Sequence, residues 1–191
     1  MSIIFGPAGL GSVKTATQVL ERYHKLGLRA CEIAFTYSAY IKPLECALIK
    51  EKAKALSIDL SIHAQYFVNL NSSEKAKREA TKKRILQCCE IGELLGAKIV
   101  VFHPGYYTDK GDTTEKREQT YHTIKQGILE LLQEIKKKSW QIKIAPETMG
   151  KVNVFGSVEE ISRLVKETGC SFCIDFAHIL AREKKVDYKK I

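Results

Sequence analysis

The sequence predicts an α/β fold on a parallel sheet, arranged as a (β/α)8 barrel of which about six βα units are present. Three observations lead there. Short apolar and β-branched runs alternate with longer stretches of helical periodicity along all 191 residues, the pattern of βα units around a parallel sheet. The junctions repeat, because Gly27, Gly96 and Gly169 each close a helix and a strand-like run follows within a few residues. Four runs also end in a metal-ligand type of side chain: Leu60-Ser61-Ile62-His63, Ile99-Val100-Val101-Phe102-His103, Ile142-Lys143-Ile144-Ala145-Pro146-Glu147 and Phe172-Cys173-Ile174-Asp175. An open doubly wound sheet gathers its site around one switch point. Polar groups arriving from successive strand ends fit the C-terminal rim of a barrel instead.

In order, Ser2-Ile3-Ile4-Phe5 reads as a short strand stopped by Gly6-Pro7. Gly9 and Gly11 follow without the spacing of a phosphate loop. Ala16, Val19, Leu20 and Tyr23 mark a first helix, and Cys31 to Phe35 a second strand followed by the aromatic, hydroxyl-rich loop Thr36 to Tyr40. Pro43 opens a helix to about Leu56, with Leu44, Ala47 and Leu48 expected inward. The third strand, Ile58 to Ile62, delivers His63 and the loop Ala64 to Leu70. Ser72 or Ser73 is expected to cap the third helix, whose Lys75, Lys77, Lys82, Lys83 and Arg84 are interleaved with Glu74 and Glu79 as on a solvated face. The fourth strand delivers His103 ahead of a polar loop, Tyr106 to Asp112. Ile124, Ile128, Leu131, Leu132 and Ile135 form the stripe of a fourth helix, with His122 off it. Trp140 to Ala145 is the fifth strand, Ser157-Val158-Glu159-Glu160 a capping box opening the fifth helix, and the sixth strand leads to Asp175 and His178. Arg182 to Ile191 is charged and carries no core pattern.

Lys and Arg number 31 against 22 Asp and Glu, a net charge of +9, so the surface should attract polyanions such as nucleic acid or a phosphorylated substrate. Cys170 and Cys173 have C-x-x-C spacing, but on a strand they face opposite sides, so the six cysteines read as buried thiols. No apolar run reaches the ~18–20 residues of a membrane span, and Met1 leads into a strand without a signal peptide. A single domain over residues 1–191, in a reducing cytoplasm, with neither membrane nor protein partner, is expected.

His63 and His103 occupy the same place in successive units, and Glu147 ends an apolar strand where an unpaired carboxylate would be costly. Two histidines and a carboxylate are the ligand set of a hydrolytic zinc centre that keeps a position open for water. Asp175 and His178, a D-x-x-H pair, add donors at the fourth strand end. A buried hydrogen-bond network at the barrel mouth is the competing account.

Four stretches, His63-Ala64-Gln65-Tyr66-Phe67-Val68-Asn69-Leu70, Phe102-His103-Pro104-Gly105, Pro146-Glu147-Thr148-Met149-Gly150 and Cys173-Ile174-Asp175-Phe176-Ala177-His178, together resemble the endonuclease IV family. These are zinc-dependent apurinic/apyrimidinic endonucleases among the xylose-isomerase-like barrels, and the archaeal-type branch looks most similar. The resemblance implies that His63 and His103 bind one zinc with Glu147, the catalytic carboxylate, which bridges to a second. It assigns Asp175 to the second zinc and His178 to a third, in a cluster that hydrolyses DNA 5′ to abasic sites during base excision repair. Tyr66 and Asn69 match positions in the loop that meets DNA. Two departures stand out: the Ser38-Ala39-Tyr40 loop offers no arginine to DNA, and the remaining family ligands would lie beyond Ile191. The expectation is therefore a barrel lacking its last two βα units, with one complete zinc site and impaired catalysis. The rival readings are a metal-dependent sugar isomerase or epimerase on the same barrel, and a metal- or DNA-binding remnant without turnover.

Overall fold

The computed structural model describes residues 3–107 and 113–187. In chain order its main elements are α1 (Ala16–Lys25), β1 (Ala30–Ala34), α2 (Pro43–Ala55), β2 (Asp59–His63), α3 (Lys75–Leu95), β3 (Ile99–Phe102) and β4 (Gly105–Tyr106). They continue as α4 (Thr114–Lys137), β5 (Lys143–Pro146), β6 (Val154–Phe155), α5 (Val158–Thr168) and α6 (Phe176–Glu183). β1, β2, β3 and β5 form one parallel sheet in that order, while β4 and β6 make a small antiparallel pair. A parallel bridge joins Ala8 to Glu32 at one edge and another joins Glu147 to Cys173 at the other. Six strand positions thus run parallel and in sequence order, the arc of a barrel wall with helices outside it.

Alternation along each strand divides the wall's two faces. Cys31, Ile33, Leu60, Ile62, Val100, Phe102 and Ile144 pack with the helices' Leu20, Ile49, Ile85, Ile124 and Leu164 into one core. The intervening residues Glu32, Ser61, Val101 and Ala145 have the opposite parity, and Val101 and Ala145 are buried outside that core. His63 is in register with Val101, so His103 stands two residues further along its own chain. Such stagger comes with tilted barrel strands.

The helix ends follow their sequence signals closely. Gly96 and Gly169 cap α3 and α5 in the left-handed conformation, and Gly27 closes α1 with a φ of 78°. Ser157 accepts from the Glu160 amide, while the Glu160 carboxylate accepts from the Ser157 and Gly156 amides. Ser157→Ala should therefore cost about 1 kcal/mol of stability, a loss that thermal melts against wild type would measure.

Some expectations are corrected. Residues 3–5 form no strand; the Phe5 carbonyl accepts from the Arg29 and Ala30 amides, and Pro7, which has no N–H, interrupts the ladder. Ile3 and Phe5 remain exposed, and Ser2 lies outside the described residues. The sixth strand is reduced to the Glu147–Cys173 bridge, supported by the Ser171 amide donating to Ile144 O and the Cys173 amide to Pro146 O. Helix α2 turns Cys46, Ile49 and Ala53 inward and leaves Leu44 and Leu48 exposed, because it carries apolar residues on both sides. The N-cap of α3 is Glu74; the Ser72 hydroxyl accepts from the Glu74 amide instead of capping the helix. Of the polar loop, Tyr106 belongs to β4 and residues 108–112 lie outside the described residues, as do residues 188–191 at the end of the chain. Arg182 and Glu183 belong to α6, which the charged composition concealed.

All six cysteines are free, with Cys170 in the core and Cys173 on the inner cavity, the opposite orientations expected of the C-x-x-C pair. Among the described residues no helix is long and apolar enough to cross a membrane.

Candidate metal centre

The strand ends bring the sequence-predicted ligands together. His63 closes β2, His103 follows β3 and Glu147 follows β5, so three neighbouring strands aim three donors at one point. Glu147 Oε2 lies 3.2 Å from His63 Nε2 and 3.1 Å from His103 Nε2. Donor atoms of His63, His103 and Glu147 all fall within 4.8 Å of one another, and so do those of Glu147, Asp175 and His178. Where the sequence predicts one complete site, two three-donor groups therefore share the Glu147 carboxylate. Asp175 is the N-cap of α6, with one oxygen accepting from the His178 amide at 2.8 Å.

Hydrogen bonds behind the imidazoles decide which nitrogen each presents. His63 Nδ1 lies 2.8 Å from the Ala64 carbonyl and His178 Nδ1 lies 2.9 Å from the Thr148 carbonyl. A carbonyl can only accept, so each Nδ1 carries the proton and each Nε2 is left for the cavity. Metal-binding histidines are ordinarily oriented in this way. With Nδ1 committed, His63 Nε2 can bond to Glu147 only by carrying a second proton or by sharing a cation with it. Burial opposes charge on His63, but the Glu147 and Ala64 contacts together outweigh it and raise its pKa. Burial likewise pushes the Glu147 carboxyl upward, yet hydrogen bonds from His103 and His63 hold it down at about 2. An ionised carboxylate between two Nε2 atoms fits a divalent cation.

The donors line a cavity of about 480 Å³ shared with Glu32, Tyr66, Cys173, Ile174 and Phe176. Sequence reasoning missed Glu32. The available signal was its place as the one charged residue in Cys31-Glu32-Ile33-Ala34-Phe35, at the parity opposite to the buried residues. Burial raises its pKa most; His63 pulls it down, while Glu147 and Asp175 push it further up. Glu32→Gln should accordingly raise the melting temperature of the chelator-treated protein, which calorimetry would register. Burial pushes the Cys173 thiol up to about 12, with Sγ 4.0 Å from Glu147 Oε1.

Tyr66 covers the two histidines, with ring centroids 5.7 Å from His63 and 5.4 Å from His103, and its own ring remains half exposed. Asn69 is occupied differently. Its Oδ1 accepts from the amides of Asn71 and Tyr106, tying the loop after β2 to the one after β3. Gly105 allows this approach: its φ is 152°, and a Cβ there would come within 2.6 Å of Asn69 Oδ1.

Residues 20–190 match the family model described as xylose isomerase-like TIM barrel. The chain belongs to that family. An uncharacterized protein of Methanocaldococcus jannaschii is 34% identical over 185 residues, spanning 96% of this chain and 65% of the relative. A probable endonuclease 4 of Mycobacterium leprae is 25% identical over 128 residues, 67% of this chain and 48% of its own length. The chain thus spans about two thirds and one half of these two relatives. Among solved structures of the same barrel, endonuclease IV from Thermus thermophilus superposes with a TM-score of 0.71 at 24% identity, over 92% of this chain and 62% of that one. D-psicose 3-epimerase from Clostridium cellulolyticum gives the same TM-score at 15% identity, over 89% and 61%. At these identities the superpositions establish the barrel wall and nothing finer.

Proposed function

We propose that this chain carries the metal-binding rim of a zinc-dependent DNA phosphodiesterase of the endonuclease IV kind, acting on abasic sites in base excision repair. The observation that carries the reading is the Glu147 carboxylate shared between the His63/His103 pair and the Asp175/His178 pair at successive strand ends. The probable endonuclease 4 relative and the net charge of +9 support DNA as the polyanionic partner. Under this reading residues 1–191 belong to one barrel domain that works in the cytoplasm.

His63, His103 and Glu147 would hold one divalent cation, and Glu147, Asp175 and His178 a second. Cations held there supply Lewis acidity toward a phosphodiester oxygen and lower the pKa of a bound water. The chain's own contribution is positional. The Ala64 and Thr148 carbonyls engage the Nδ1 atoms of His63 and His178, Glu147 stays ionised between His63 and His103, and the Tyr66 ring lies against those same two imidazoles. Tyr66, half exposed beside them, would stack against DNA at the rim, while the Asn69 side chain would shape the same loop through its bonds to the Asn71 and Tyr106 amides. Tyr37 and Tyr40, both exposed, provide the aromatic surface where the family offers an arginine.

The equally good superposition of D-psicose 3-epimerase favours a second reading, a metal-dependent sugar epimerase. An oligonucleotide bearing one abasic site, incubated with and without chelator, separates the two. The proposal expects incision 5′ to the lesion that chelator abolishes and zinc restores. Metal-dependent ketose epimerisation without incision would replace it by the second reading.

A further inference from the structure

Thr148 follows the shared ligand Glu147 directly and is 1% exposed. Each of its polar atoms is engaged with the segment that carries Asp175 and His178. Its amide donates to the Cys173 carbonyl at 3.0 Å, its hydroxyl accepts from the Asp175 amide at 2.9 Å, and its carbonyl accepts from His178 Nδ1 at 2.9 Å. One residue thus sets the height of the 173–175 segment against the end of β5, the position of the Asp175 backbone and the nitrogen that His178 presents. His63 and His103 make none of these bonds; His63 is held by the carbonyl of Ala64, just after β2. Helix α6 also has an anchor of its own. Arg182 donates to the Lys151 and Val154 carbonyls at 2.8 and 3.0 Å, and Gly150 packs against His178, where a Cβ would stand 3.3 Å away. The helix therefore stays docked without the Thr148 hydroxyl.

We propose that the Thr148 hydroxyl is a positioning group for the Glu147/Asp175/His178 cation site, separately from the His63/His103/Glu147 site. This rests on the metal-centre reading above. The hydroxyl is the one contact of the three that a side-chain change can remove, because the amide and carbonyl belong to the backbone. Thr148→Val keeps the shape and leaves the Asp175 amide without its partner, whereas Thr148→Ser keeps the hydroxyl.

The test is a zinc titration of the chelator-stripped 191-residue protein, with cobalt(II) absorbance reporting coordination, on wild type and both variants. Wild type is expected to take up two cations, and Thr148→Ser to match it closely. Thr148→Val is expected to keep the first affinity and weaken the second about tenfold or more, the range seen when outer partners of metal ligands are removed. Circular dichroism melts confirm that both variants fold. The proposal is overturned if Thr148→Val binds both cations as wild type does, if both sites weaken in parallel, or if wild type takes only one. Wild type that takes up no cation at all removes the metal-centre reading itself, a result distinguishable from these three.

Discussion

Glu147→Gln is expected to cost the protein both cations in one substitution. Glu147 belongs to both donor groups, whereas each other donor serves one. Glu147 is 6% exposed, and its carboxylate sits 3.1–3.2 Å from two imidazoles and stays ionised because they outweigh its burial. An amide of the same shape keeps the packing but brings no charge, and its NH2 group cannot ligate. Zinc affinity should fall by more than the roughly 10–100-fold typical of outer partners. His103→Ala, by contrast, should spare the site formed by Glu147, Asp175 and His178. Zinc content by atomic emission after dialysis, on wild type and both variants, distinguishes loss of both equivalents from loss of one. Equal zinc content in Glu147→Gln and wild type would refute the shared-carboxylate arrangement.

Phe102→Ala is expected to be the most destabilising core substitution adjoining the site. Phe102 is fully buried and belongs to the core between sheet and helices, one residue before His103. Its truncation should cost about 3–5 kcal/mol, transfer and cavity contributions together. Val101, its neighbour of opposite parity, stands outside that core cluster, so Val101→Ala should cost clearly less. Urea unfolding of the two variants measures the difference, and equal costs would contradict the division of the wall into a core face and a cavity face.

The candidate donors His63, His103, Glu147 and Asp175 are legible in the sequence because each is a polar residue terminating an apolar run, a position that parallel strands convert into a common rim, and His178 follows one helical turn after Asp175. The glycine closures and the Ser157 capping box are legible because their chemistry is local. What escapes depends on information from elsewhere in the chain. Leu44 and Leu48 look as suitable for the core as Cys46 and Ile49, and only the packing of α2 on its neighbours chooses between the stripes. Glu32 is a lone charge in an apolar strand, and its meaning depends on the barrel interior formed by distant strands. The bonds that Asn69 Oδ1 accepts from two backbone amides, one of them 37 residues away, leave no trace in the sequence. The β4–β6 pair is two residues long on each side and joins segments about fifty residues apart, leaving no periodicity to detect. Helix α6 is eight residues long, and its charged end masks the Asp175 cap.

Anomalous diffraction at the zinc absorption edge, from crystals of the zinc-loaded protein, tests the central claim most directly. The account predicts one peak among His63 Nε2, His103 Nε2 and a Glu147 oxygen, and a second beside Asp175 and His178. Anomalous density elsewhere, with His63 and Glu147 still hydrogen-bonded directly to each other, would contradict it.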